Sequence, residues 1–309
     1  MRTERDKKPT VENKPSTLSP FRYPGGKSRL RATILNWISE LGFRPTHFIE
    51  PFAGGASVGL AVAELDLANH VTLAELDPDV GSVWDVVLNG KATAFSERIT
   101  SFRLNHTTAT DVISRQPTDQ LARAFRCLLL NRISRAGIMA PGAGWLKRGE
   151  DDHGLGSRWY PQTLADRVVA TNALRDKITF LQEDGLEVLG KFAKDPRAVA
   201  FIDPPYVVRG RGAGQRLYAY HDVDCDELFQ IARTFAGALV ITYHRSVIVE
   251  RLADAAGIER HTINVQTGHK RTKRELIMYR RPIDPRATKQ SDISAKDSRK
   301  RKNGVRFQH

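Results

Sequence analysis

Residues 46–79 read THFIEPFAGGASVGLAVAELDLANHVTLAELDPD, and the fold follows from this stretch. THFIEPF is a short apolar strand that runs into a turn at Gly54 and Gly55, and SVGLAVAELDLA carries the chain on as a helix. HVTLAEL is a second strand, and DPDVGSVWDVVLNG resumes a helix. Strand, helix, strand, helix is the rhythm of a parallel sheet with crossover helices. The fold class expected is therefore α/β, a doubly wound and mostly parallel sheet.

Upstream, RLRATILNWISEL carries Leu30, Ile34, Ile38 and Leu41 at helical spacing. Residues 1–19 read as a flexible leader. Downstream, the rhythm is lost over roughly residues 90–160, where a helical start at DQLARAFRCLLLNRISRAGIM gives way to the glycine-rich APGAGWLKRGEDDHGLGSRWYP. That segment is too long and too basic for a simple connection, and predicts an inserted helical subdomain. Alternation returns at KITFLQEDGLEVL and RAVAFIDPPY, followed by a helix at DCDELFQIARTFAG and a strand at ALVITYH. INVQTGHKRTKRELIMYRR reads as a hairpin with HKRTKR as its charged turn. The expected division is a leader over 1–19, an α/β domain over 20–89 and 165–285, an inserted helical subdomain over 90–164, and a disordered basic tail over 286–309.

The chain has 309 residues, 40% of them hydrophobic, which is enough to bury a core. No apolar run approaches the roughly 18 residues of a membrane span, and the polar N-terminus lacks the apolar stretch of a secretory signal. Cys127 and Cys225 stand far apart without metal-ligand spacing, so neither a disulfide framework nor a zinc site is expected, and a reducing cytoplasm fits. Lys and Arg outnumber Asp and Glu by 48 to 35, a net charge of +13. Such a surface attracts polyanions, since phosphate contacts release counterions. Part of that charge belongs to the tail, with its SRKRKNGVR.

Three places concentrate groups able to do chemistry. In FIEPFAGGASVGL (48–60) the strand ends at Glu50, and the glycines bring a ligand within reach of backbone amides and the helix N-terminus. The turn lacks the GxGxxG spacing of a dinucleotide site, which sets aside a nicotinamide dehydrogenase. The next strand ends at Glu75, a position from which a carboxylate can hold ribose hydroxyls, although a solvated strand-end acid has the same appearance. In FIDPPY (201–206) an apolar strand delivers Asp203 to the edge where open α/β sheets bind ligands. Its two prolines carry no amide hydrogens, leaving the Asp203 carboxylate and the Pro204 carbonyl as acceptors with the flat Tyr206 beside them. That arrangement suits an NH2 group on a planar ring. An ordinary Asp-Pro turn is the structural alternative.

FRYPGGK (21–27), EPFAGG (50–55) and DPPY (203–206), in that order, resemble the Dam-type adenine-N6 DNA methyltransferases, over about residues 20–280. The resemblance implies an enzyme that uses S-adenosylmethionine to methylate adenine N6 in double-stranded DNA. It suggests that Tyr23, Gly26 and Lys27 border the cofactor, that Glu50, Phe52, Gly54 and Gly55 shape the methionine pocket, and that Glu75 holds the ribose. Asp184 would lie near the cofactor's adenine, and Asp203, Pro204 and Tyr206 would face the target base, Asp203 also touching the cofactor. The family often has aspartate where this chain has Glu50 and Glu75. In the middle segment only LNRISRAGI matches.

The target amine lies inside a duplex, so the base must be flipped out to reach the pocket. Arg123, Arg126, Arg132, Arg135, Lys147, Arg148 and Arg158 are the expected DNA contacts, with Arg209 and Arg211 in the loop RGRGAGQR (209–216) after DPPY. Each taken singly is equally a solvated helix face. Other readings keep the fold and change the acceptor to RNA, a protein amide or cytosine N4, or make the chain a silent DNA-binding protein. A monomer is expected, with no metal and no membrane partner, in the cytoplasm on the nucleoid.

Overall fold

The apolar pair in THFIE forms the central strand β1 (His47–Glu50), and the glycine turn leads into helix α2 (Ser57–Glu64). Strand β2 (His70–Ala74) and helix α3 (Pro78–Leu88) follow as the sequence predicts. The computed structural model describes residues 17–22, 28–139, 144–147, 154–205, 223–266 and 272–282. Asp77 starts α3: its carboxylate accepts from the Asp79 and Val80 amides at 2.8 and 3.4 Å, and Pro78 takes the first helical position. Ahead of β1, α1 (Ser28–Ser39) buries Ile34, Leu35 and Ile38.

The second half supplies β3 (Ile178–Leu181), α8 (Gly185–Lys191), β4 (Ala198–Ile202), α9 (Cys225–Thr234), β5 (Ala238–His244) and α10 (Val247–Ala255). The hairpin β6 (Glu259–Gln266) and β7 (Thr272–Arg280) closes the sheet. Strand order is β3-β2-β1-β4-β5-β7-β6. The first five of these are parallel neighbours, and β7 runs antiparallel to β5 and β6. The chain builds outward from β1 to β3, then starts again at β4 on the other side of β1. The crevice at such a reversal is where doubly wound sheets bind ligands.

The central strands are mostly apolar because both faces are covered. Phe48, Val199, Phe201 and Val240 enter one core, with Ile34, Trp84 and Phe125. Ile49, Ala200, Ile202 and Ile241 enter the other, with Leu189, Phe229 and Phe235. The alternation assigns each strand-end residue to a face, which matters below.

Helices α4 (Ala92–Ser101), α5 (His106–Ser114), α6 (Gln120–Ile133) and α7 (Pro161–Asn172) form the helical layer predicted for the middle of the chain. It packs on the sheet domain through α3 against α6 and α7, while α4 and α7 pack on each other within the layer. Phe102, Phe125 and Trp159 meet edge to face, with centroids 5.0 to 6.1 Å apart, inside the same core as Trp84. The layer thus shares a core with the sheet. It also runs through α7 to Asn172, beyond the boundary expected at residue 164.

The leader expected over 1–19 ends in a held strap. Leu18, Ser19 and Phe21 are buried, and successive carbonyls meet side chains from α6 and α7. Thr171 Oγ1 donates to Leu18 O at 3.3 Å, Arg167 Nη1 to Ser19 O at 3.2 Å, and Arg132 Nη2 to Pro20 O. Asn131 takes Arg22 from both sides: its Oδ1 accepts the Arg22 amide at 2.9 Å, and its Nδ2 donates to Arg22 O at 2.8 Å and Gly137 O at 3.0 Å. Asn131 is fully buried, so Asn131→Ala strands backbone groups where water cannot replace the lost partner. Urea unfolding should show a loss of about 3 kcal/mol; a loss under about 0.5 kcal/mol, the size of a neutral surface change, would mean the strap is not held this way.

Candidate active site

The glycine turn after β1 is fastened from both sides. The Ala53 amide donates to Ala74 O at 2.8 Å, tying the turn to the end of β2. The Gly54 amide donates to Glu75 Oε2 at 2.9 Å, and the Asp77 amide to Glu75 Oε1 at 3.0 Å. Glu75 is therefore gripped by two backbone donors at the C-terminal end of β2. Its pKa is still pushed up to about 7, because burial outweighs the Asp77 and Gly54 hydrogen bonds. The Gly54 carbonyl accepts from Trp84 Nε1 at 2.9 Å, and Trp84 packs on Phe21 of the strap with ring centroids 5.7 Å apart. Ala56 closes the turn at φ 47°, a left-handed conformation that costs a non-glycine residue about 1–2 kcal/mol. Strain of this kind gathers at functional turns.

Glu50 ends β1 on the face shared with Phe48 and is 4% exposed. Helix α2 has no side-chain cap of its own. Glu50 supplies the missing acceptor, its Oε2 taking the Gly59 amide at 2.6 Å. Only glycine permits this approach: a Cβ at residue 59 would stand 2.7 Å from that oxygen and 2.7 Å from Leu73 Cδ2. Burial pushes the Glu50 pKa up to about 8; the Gly59 and Val58 amides oppose the shift and the nearby Asp203 charge adds to it.

Asp203 is the first residue past β4, half-buried, with Pro204 buried behind it. Thr242 Oγ1 donates to Asp203 Oδ1 at 2.6 Å. Asp184 stands past the end of β3 as the N-cap of α8, accepting from the Leu186 and Glu187 amides at 2.7 and 3.3 Å. Phe52 is half-buried against the second core, and Gly55 half-exposed on the turn. Glu50, Phe52, Gly54, Gly55, Glu75, Asp184, Asp203 and Pro204 thus all lie at or just past the C-terminal ends of four neighbouring strands. Tyr23, Gly26, Lys27 and Tyr206 lie outside the described residues, as do Arg148, Arg209, Arg211, the tail over 286–309 and residues 269–271 of the expected HKRTKR turn, whose last three residues already belong to β7. Sequence reasoning missed Thr242, Trp84 and Asn131. Thr242 carried a usable signal, as a polar residue inside the apolar run ALVITYH that ends at the same edge.

The basic residues divide. Arg132 departs from its expected place on the DNA side: it is buried, and its guanidinium is turned inward to the strap carbonyl of Pro20. Arg123 and Arg126 approach Asp79 at 3.6 and 3.7 Å, and Arg126 Nε also donates to Ile113 O at 3.1 Å. Arg158 is half-buried. Arg135 and Lys147 are exposed, on either side of a bridge that pairs Ser134 with Trp145. Among the described residues, no group of three or more His, Cys, Asp or Glu is placed to hold a metal, and no helix is long and apolar enough to cross a membrane.

A family model described as D12 class N6 adenine-specific DNA methyltransferase matches residues 23–249. Among solved structures, the chain is similar to one from Pyrococcus horikoshii assigned as an RNA methyltransferase, at 10% identity and TM-score 0.39, over 88% of this chain and 92% of that one. It is also similar to the precorrin-6y C5,15-methyltransferase of Geobacter metallireducens, at 13% identity and TM-score 0.32, over 82% of this chain and 87% of that one. No curated protein matches.

Proposed function

The chain belongs to the D12 class N6 adenine-specific DNA methyltransferase family, and from that premise we propose that it methylates the N6 amine of adenine in duplex DNA, with the target base flipped out of the helix. The observation that carries this reading is the Asp203 carboxylate, anchored by Thr242 at the switch point between β1 and β4 and followed by buried Pro204. The adenine amine is a weak nucleophile because its lone pair is delocalised into the ring. Hydrogen bonds from N6–H to Asp203 and to the Pro204 carbonyl draw that lone pair toward the incoming methyl. They strengthen as positive charge develops on nitrogen, so they favour the transition state over the ground state. The proton leaves after transfer, and Asp203 need not be a strong base.

The residues present fit S-adenosylmethionine by their chemistry. Glu50, Glu75, Asp77, Asp184 and Asp203 gather at one edge, and burial pushes the Glu50, Glu75 and Asp77 carboxyls above their ordinary values. A cationic ligand with ribose hydroxyls relieves that penalty. When bound, the sulfonium supplies an activated methyl group, so alignment is the protein's main task. Glu75 would hold the ribose hydroxyls, the Glu50 to Gly55 turn and Phe52 the methionine portion, and Asp184 would sit by the adenine, with Tyr23, Gly26 and Lys27 bordering the site. Tyr206 would stack on the flipped base.

Arg123, Arg126, Arg135, Lys147, Arg148, Arg158, Arg209 and Arg211 are proposed as phosphate and base contacts, with Arg123 and Arg126 exchanging Asp79 for phosphate on binding. The enzyme acts as a cytoplasmic, nucleoid-associated monomer, since methylating one strand needs one active site.

Transfer of labelled methyl to unmethylated duplex DNA, followed by nucleoside analysis, tests the reading. N6-methyladenine is the expected product. Label appearing in RNA or protein instead, with duplex DNA of diverse sequence unlabelled, would move the chain to one of the rival acceptors.

A further inference from the structure

The pairing of β4 with β5 carries a residue into the site that the motifs do not contain. Ile202 pairs with Ile241 in the parallel register, so the next positions along the two strands are Asp203 and Thr242. Both have the parity of Phe201 and Val240, so both point to the same face. Glu50 ends β1 on that face as well. Thr242 is fully buried, and its strand is paired on the other side with β7, Thr242 standing opposite Ile277. Its hydroxyl donates to Asp203 Oδ1 at 2.6 Å.

We infer that Thr242 is a positioning residue for the reaction: its hydroxyl fixes the rotation of the Asp203 carboxylate and so aims the acceptor that receives the target amine. This rests on the function proposed above. Three physical points support it. The terminal torsion of an aspartate is broad and two-fold, so nothing intrinsic to residue 203 sets the plane of its carboxylate. A threonine is stiff at its first torsion, and one locked between paired strands is a fixed donor. A 2.6 Å separation is the length of a charge-assisted O–H···O⁻ bond, which suits a carboxylate that must stay an acceptor. The site would then hold its acceptor ready before the base arrives, at no cost in reorganisation during the step itself.

The experiment compares Thr242→Val, Thr242→Ser and Asp203→Ala with the full-length wild type. It measures single-turnover methyl transfer to duplex DNA, the Kd for S-adenosylmethionine and thermal melting. Valine keeps the shape and removes only the hydroxyl. Thr242→Val should slow the single-turnover rate about 10- to 100-fold, with the cofactor Kd within about twofold, while Thr242→Ser restores the rate to within about threefold because the donor returns. A Thr242→Val rate equal to wild type would overturn the inference, and so would equal losses in the valine and serine variants. A loss in the valine variant that appears only as weaker cofactor binding would also overturn it, by making the residue merely structural. If the valine variant melts below the assay temperature, Thr242→Ala against Thr242→Ser, assayed in the cold, makes the same comparison. Asp203→Ala separates the two levels: activity retained there sinks the proposed function itself, whereas an inactive Asp203→Ala beside an unimpaired Thr242→Val sinks only the role given to Thr242.

Discussion

Asp203→Ala is expected to lower single-turnover methyl transfer by about 10³-fold with the protein folded and cofactor binding changed only a few-fold. The size follows from what is removed. The Asp203 oxygen is held at 2.6 Å by a buried donor at the switch point, and in the proposed reaction its interaction with N6–H would strengthen as the amine gains positive charge. Losing such a group acts on the rate of the chemical step more than on binding. The fold should tolerate the change, because Asp203 is one of the causes that raise the pKa of buried Glu50, and removing its charge relieves that repulsion. Non-additivity provides an internal control. In an Asp203→Ala background, Thr242→Val should cost nothing further, since the hydroxyl has lost the carboxylate it aims. A variant that keeps the wild-type rate would mean that Asp203 does not hold the target amine.

What could be read from the sequence and what could not divide along contact distance. The strands ending at Glu50, Glu75 and Asp203 were legible because apolar runs, glycines and prolines act locally, and a strand–turn–helix rhythm permits few topologies. The acids were legible as strand-end residues for the same reason. The Thr242 to Asp203 bond was not, since it joins positions 39 residues apart through a pairing register that no local pattern reveals. Nor was the Asn131 to Arg22 bond, which spans 109 residues. Arg132 shows the converse: in sequence it resembles its neighbours Arg126 and Arg135, and only tertiary packing decides that its charge meets a carbonyl of the strap rather than a phosphate. Leu18 and Ser19 look like leader in the sequence because their neighbourhood is polar, whereas the helices they pack on lie more than a hundred residues away.

Glu50→Gln is expected to make the ligand-free protein more stable than wild type at pH 8.5, with the advantage fading to nothing near pH 5. The Glu50 pKa rises from 4.5 to about 8 on folding, chiefly through burial, with the Asp203 charge a smaller cause. Between those values the folded chain keeps a proton that the unfolded chain has lost, so wild-type stability falls as pH rises through that window and levels off above it. Integrated over the shift, the loss is on the order of 4 kcal/mol. Glutamine stays neutral at every pH and can still accept the Gly59 amide, so it keeps the cap on α2 without the buried charge. Glu75, raised to about 7, adds a slope of the same sign that survives in the variant, in proportion to how far it is shielded from water. Asp203→Asn should flatten the curve only in part, because desolvation and not repulsion is the larger cause. Urea or thermal unfolding of the three proteins from pH 5 to 9 decides the matter. Curves for wild type and Glu50→Gln that run parallel across that range would mean Glu50 does not hold a proton in the folded state. The buried carboxyl would then already be ionised before any cation arrives, and the acids at this edge would owe their stability to backbone donors alone.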